Sequence, residues 1–228
     1  MPKVSEEYYT QKRNEIIDSA YKIALEKPIS NMTLMDVRER AGMARGAIYR
    51  YYDSLDQILA DLIKRINEDN SYVEDVKKIF DTSKNSSPKM TFKRLADFLF
   101  EYITSREMDV FSLEIQFDIL CITEPERVKN IMALAGEQGN ESVAYLINSL
   151  AEYIEAEKKK KTIKPVLKTA DLINYLMTVY KGIALQYSIE KSMDPSTDYN
   201  LKESITAFYK TCLAMVGYNE TRKKNEQN

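Results

Sequence analysis

The chain has 228 residues, 33 of them Lys or Arg and 35 Asp or Glu, so its net charge is −2 and it is no basic nucleic-acid coat. Apolar residues make up 44% and charged residues 30%, the balance of a folded chain rather than a disordered one. Histidine is absent, which excludes Ser-His, Cys-His and His-metal chemistry, and no apolar run reaches the ~20 residues that span a bilayer.

Cys121 and Cys212 stand far apart in apolar surroundings. They read as small buried hydrophobes, not as a zinc site or a disulfide. No metal or cofactor is expected. The stretch Met1–Glu7 lacks the apolar core of a signal peptide, so a cytoplasmic protein is expected. Only six Gly and six Pro argue for long helices.

In chain order, Ile16, Ile17, Ala20, Tyr21 and Ala24 fall on one face of a helix over Ser5–Glu26, which Pro28 should end. Thr33 and Asp36 have the spacing of a capping box, opening a short helix to about Arg40. Gly42 then allows a tight turn, and Ala44 to Tyr51 is predicted as a second short helix. Asp53 and Ser54 cap a long helix predicted to run to Phe80, and a polar loop follows to Pro88. Helices are expected from Met90, over Met108–Ile122, from Pro125, from Val143, over Lys168–Lys191 and over Tyr199–Gly217. Met108–Ile122 is apolar nearly all round, so burial on every side is expected there. No strand pattern appears. The predicted fold is all-α, about nine helices, with a three-helix helix-turn-helix head over 1–53 and a helical bundle over 54–228.

Two short helices joined by a glycine turn are the layout of a helix-turn-helix, whose second helix enters the major groove. From Arg38 to Tyr52 four arginines face one glutamate, a net +3 within an acidic protein. Such local excess fits a DNA reader whose other surfaces must avoid nucleic acid. Arg45 can reach base edges, and Gly46 and Ala47 let backbone approach the groove. Tyr49, Arg50 and Tyr51 offer donors to phosphates. Helix starts at Thr33 and Ser54 can hold further phosphates. Ile48 is expected in the core, and Tyr52 more in the core than on DNA. Tyr49 keeps the alternative of a core aromatic.

From Ile16-Ile17 and Ala20 through the run Thr33–Ser54, the sequence resembles the TetR family of transcriptional regulators, strongly over about residues 12–62. The resemblance implies a dimeric repressor with an N-terminal DNA-binding domain and a C-terminal effector-binding and dimerisation domain. It also implies that residues 45, 46, 47, 49, 50 and 51 face DNA, with Thr33 on a phosphate. Two positions depart from the family. Leu55 stands where a backbone-contacting Lys is common, and Pro28 where Gly is usual.

One small head reads only a few base pairs, so a homodimer on palindromic double-stranded DNA is expected. The wide apolar stripes of the last two helices are the candidate interface: Leu172, Val179, Gly182, Ile183 and Tyr187 on one, Ile205, Phe208 and Cys212 on the other. The alternative is that both helices are internal. The middle helices offer candidate ligand residues Phe98, Tyr102, Phe111, Glu114, Phe117, Asp118, Tyr145 and Tyr175. They suit a small hydrophobic effector, aromatic or cationic, although aromatics at helical spacing are also ordinary core. Release from DNA by population shift, with the helix after Ser54 as lever, is the expected mechanism. An enzyme would need carboxylate, Lys or Tyr chemistry, and no paired acids stand out. A helical protein-interaction adaptor without DNA binding is the competing reading.

Overall fold

Helix α1 (Glu6–Glu26) starts where the Ser5 side chain accepts from the Tyr8 N–H, and it ends where Lys27 turns extended before Pro28. The computed structural model describes residues 5–67, 71–105, 108–136, 141–194, 196–197 and 199–218, without the side chains of 71, 72, 105, 108–111, 141 and 142. A single 3-10 turn, Ile29–Asn31, leads to α2 (Leu34–Arg40). Then come α3 (Leu55–Asn67), α4 (Ser71–Ser83), α5 (Pro88–Ser105), α6 (Met108–Thr123) and α7 (Pro125–Ala135). The chain closes with α8 (Glu141–Lys159), α9 (Thr169–Met193) and α10 (Leu201–Met215). The described residues are all helix, turn and loop, as the sequence predicts.

The chain packs as two units, Met1–Asp69 with Asp109–Glu141, and Asn70–Met108 with Ser142–Asn228. The packing therefore divides the chain differently from the 53/54 boundary read in the sequence. In the first unit, Ile16, Ala20, Val37, Ile48, Ile58, Leu62, Leu113, Leu120 and Ile131 share one core. Helices α6 and α7 are thus built into the same core as α1, α2 and α3. In the second unit, Val76, Phe92, Leu150, Ile154, Leu172, Leu176, Phe208 and Cys212 form another core. The end of α10 is strapped to the stretch before α9 by Lys164 N–H to Val216 O and Val166 N–H to Met215 O, both 2.9 Å.

Three expectations are corrected, and one falls partly outside the described residues. Residues 44–51 are not a regular helix but turns followed by a 3-10 turn, Ile48–Arg50, because Gly46 sits at φ +89° and breaks the ladder. Of the helix predicted over Ser54–Phe80, the described residues are helical as α3 and α4, and whether it continues through 68–70 lies outside the described residues. Helix α6 is not buried all round: Ile119 is exposed and Ile122 is 82% exposed, since the first unit's core covers only the face of Leu113 and Leu120. Cys121 is exposed with them, whereas Cys212 is buried.

Candidate nucleic-acid interface

The site is assembled from its two ends. At the first, the Thr33 hydroxyl accepts from the Asp36 N–H at 3.2 Å while the Asp36 carboxylate accepts from the Thr33 N–H at 2.7 Å, the reciprocal capping box. The Lys27 ammonium meets the same carboxylate at 2.5 Å. Lys27 first, then Thr33, hold the Asp36 carboxyl down to about 2. Gly42 at φ +63° follows α2 and takes the tight turn that only a residue without Cβ adopts cheaply.

Residues 44–51 are stitched by short-range bonds, Ala47 N–H to Ala44 O and Arg50 N–H to Ala47 O, with Tyr52 N–H reaching Ile48 O. So short a segment cannot hold its own shape by local bonds and is held by the core and by neighbouring elements. Ile48 is 1% exposed and plugs the segment into the core. Tyr52 is equally buried, donates to Asp61 at 2.9 Å and lies under the Arg13 guanidinium, 4.4 Å from the ring centre. Both residues sit where the sequence reading puts them, in the core.

Tyr9 provides a further anchor. Its hydroxyl donates to the Arg50 carbonyl at 3.1 Å, and its ring packs on Tyr51 with centroids 5.0 Å apart. Tyr51 is therefore half-buried, less open than a free phosphate donor. Arg45, Gly46 and Arg50 are exposed, Ala47 is half-buried, and Tyr49 is 61% exposed. Among the described residues neither Arg45 nor Arg50 has an acidic partner, whereas Arg38 pairs with Glu39 and Arg40 with Glu26. Arg45 and Arg50 thus leave positive charge uncommitted on the outward side of this segment; Lys22 on α1 is another exposed cation of the head without an acidic partner among the described residues. At the other end, the Ser54 hydroxyl accepts from Gln57 N–H at 3.3 Å and opens α3.

Two residues to which the sequence reading gives no such role tie α6 to the head and α7 to the start of α3. Gln116 bonds the backbone at Ala24 and Ile29, and Arg127 meets Asp56 at 2.9 Å and Glu124 at 3.1 Å. These partners, in the head and on α3, lie 71 to 92 positions away, beyond any local pattern. For Tyr9, the aromatic pair at the start of α1 is the available signal.

The candidate effector residues fall in both units. Phe98, Tyr102 and Tyr145 pack against the second core, the first two with ring centroids 6.2 Å apart, and Tyr175 is exposed on α9. Phe117 packs on the first core, with Glu114 half-buried and Asp118 exposed on the same helix. The Phe111 side chain lies outside the described residues. Of the candidate interface residues, Leu172, Ile205, Phe208 and Cys212 are buried within the chain itself, which corrects their reading as partner-facing: neighbouring helices already use them. Val179, Ile183 and Tyr187 are half-buried, and Gly182 is exposed. Among the described residues no His/Cys/Asp/Glu cluster can hold a metal, and no helix is long and apolar enough to cross a membrane.

Residues 16–62 match the family described as bacterial regulatory proteins, tetR family. Over 63 residues the chain is 30% identical to the HTH-type transcriptional regulator YfiR of Bacillus subtilis (strain 168), a match covering 28% of this chain and 31% of that protein. The match thus spans about a third of that relative's length. Across 91% of its length the chain superposes on the whole of a TetR-family transcriptional regulator from Rhodococcus sp., with a TM-score of 0.62 and 13% identity. It also superposes on the fatty acid degradation regulator FadR from Bacillus halodurans, with a TM-score of 0.57, 17% identity and 92% and 96% of the two chains covered. At such identities the two superpositions speak to fold.

Proposed function

We propose that the chain, which matches the tetR family of bacterial regulatory proteins over residues 16–62, is a dimeric repressor released from a palindromic operator by a small hydrophobic effector. That family's role is transcriptional regulation, not catalysis. The observation that carries the reading is the outward side of 44–51, with Arg45 and Arg50 uncommitted and Tyr49 open, set on the buried Ile48 and Tyr52. Arg45 reads a base edge, and Arg50 and Tyr49 hold phosphates. Thr33 and Ser54 offer helix starts to the backbone on either side. Gly46 and Ala47 keep the close approach clear.

Residues 1–53 are the DNA-binding portion, and 54–228 the effector-binding and dimerising portion. Pairing through α9 agrees with an exposed stripe of Tyr175, Gly182, Leu185, Ile189 and Met193 on one face. A two-fold pair presents its heads about one DNA turn, ~34–36 Å, apart. Phe98, Tyr102 and Tyr145 suit an apolar or aromatic effector. The work is placed in the cytoplasm, where the operator is.

The test is selection of duplexes from a random pool by the full-length protein, followed by binding across a salt series. An enriched inverted repeat, bound with a steep negative dependence on salt, supports the reading. Recovery of unenriched sequence at low salt overturns it and favours the protein-interaction adaptor.

A further inference from the structure

We propose that Gln116 on α6 is a positioning residue of the head: its carboxamide supplies the donor that Pro28 withholds from the end of α1, and so makes α6 part of the support on which α2 sits. A helix leaves its last carbonyls without donors unless the chain beyond provides them. The residue four on from Ala24 is Pro28, which has no N–H. Gln116 Nε2 donates to the Ala24 carbonyl at 2.8 Å instead. On the far side of the proline, the Ile29 N–H donates to Gln116 Oε1, also at 2.8 Å. Only one orientation of the amide matches a donor to an acceptor at both contacts.

The joint is dry. Ala24 and Ile29 are buried, and Leu113 and Leu120, one turn either side of Gln116, are buried in the same core. A backbone group of a buried residue left unpaired is costly, and Ala24 and Ile29 are such residues, so the amide and the proline are complementary parts of one joint. The joint matters because α2 begins only five residues after Ile29, and Asp36, the capping-box partner of its cap residue Thr33, is itself tied back to Lys27. The effect on DNA rests on the proposed function; the structural linkage does not.

The experiment uses full-length Gln116→Leu, Gln116→Glu, Pro28→Ala and the double variants. Amide exchange at Ile29 and across α2, thermal unfolding, and binding to the wild-type-selected duplex and to random duplex are read. Gln116→Leu should speed Ile29 exchange at least about tenfold and weaken the selected duplex more than the random one. Gln116→Glu keeps the acceptor, so Ile29 should stay protected while the Ala24 contact is lost. Pro28→Ala restores a donor, so the unfolding equilibrium of the double variant should shift at least about threefold less than the product of the single effects. Unchanged Ile29 exchange in Gln116→Leu, or single effects that simply multiply, overturns the proposal. Should Gln116→Leu not fold, Gln116→Glu with and without Pro28→Ala decides by the coupling criterion alone, since only the Ala24 contact is lost in it. If the wild type enriches no duplex, the proposed function fails, and exchange and coupling still judge Gln116.

Discussion

The Tyr52 hydroxyl donates to the Asp61 carboxylate at 2.9 Å, and that same carboxylate is held by Arg13, whose guanidinium covers the Tyr52 ring. Lys64 adds a contact at 3.1 Å. Three elements thereby meet at one half-buried anion: α1, the end of the 44–51 segment and α3. Tyr52→Phe removes one hydrogen bond but keeps the ring under Arg13, and should cost about 1 kcal/mol. Asp61→Ala strips the partner from Arg13 and from a buried phenol together, and should cost about 2–4 kcal/mol. Denaturant unfolding of the two variants checks the order.

The same carboxylate sets an acid limit. Burial alone would raise the Asp61 carboxyl, but the hydrogen bonds from Arg13, Tyr52 and Lys64 outweigh it and leave it lowered. Asp36 is held at about 2 by Lys27 and Thr33. Both groups bind protons less readily folded than unfolded. Their contribution is therefore complete above the unfolded carboxylate range, about pH 4, and is lost as pH falls through the folded values. Melting temperature should drop between about pH 4 and pH 2. Asp61→Asn should start lower and show a flatter fall over that window. An equally steep fall in Asp61→Asn contradicts the assignment.

Gly217 marks the tightest backbone approach among the described glycines. A Cβ there would lie 2.1 Å from the Lys164 carbonyl oxygen, and φ is +63°. The obstacle is backbone and not a flexible side chain, so the strap between 164–166 and the end of α10 must open. Gly217→Ala should destabilise by at least about 2 kcal/mol, read as a lowered thermal midpoint. Gly42→Ala, where an added Cβ would meet nothing within 4 Å, should cost less.

Thiol chemistry separates the two cysteines. Cys121 is exposed beside Ile122, whereas burial pushes the Cys212 thiol up to about 12. A disulfide reagent should label Cys121 in the native protein and reach Cys212 only on unfolding. Fast labelling of both in the native state contradicts the packing of α10.

What is legible in the sequence is local. The Thr33–Asp36 box, the end of α1 before Pro28 and the inward Ile48 and Tyr52 follow from spacings within one or two turns, and each is found. The second short helix fails because Gly46 acts through its positive φ, and its small size alone does not reveal that. Cys121 and Ile122 read as buried because an apolar run shows that a helix has apolar faces, not which of them a neighbour covers. Leu172 and Phe208 show the converse, stripes that read as surplus yet are filled by the chain's own helices. Gln116 and Arg127 act on partners far along the chain, and no local period encodes such pairs.

The most direct measurement of the central claim compares Arg45→Ala and Tyr49→Phe with wild type on the selected duplex and on random duplex at one salt concentration. Arg45→Ala should lose about 1–3 kcal/mol of preference for the selected sequence, while Tyr49→Phe should weaken both duplexes alike. Equal losses on both duplexes for Arg45→Ala, or no loss at all, would take base reading away from the outward side of 44–51.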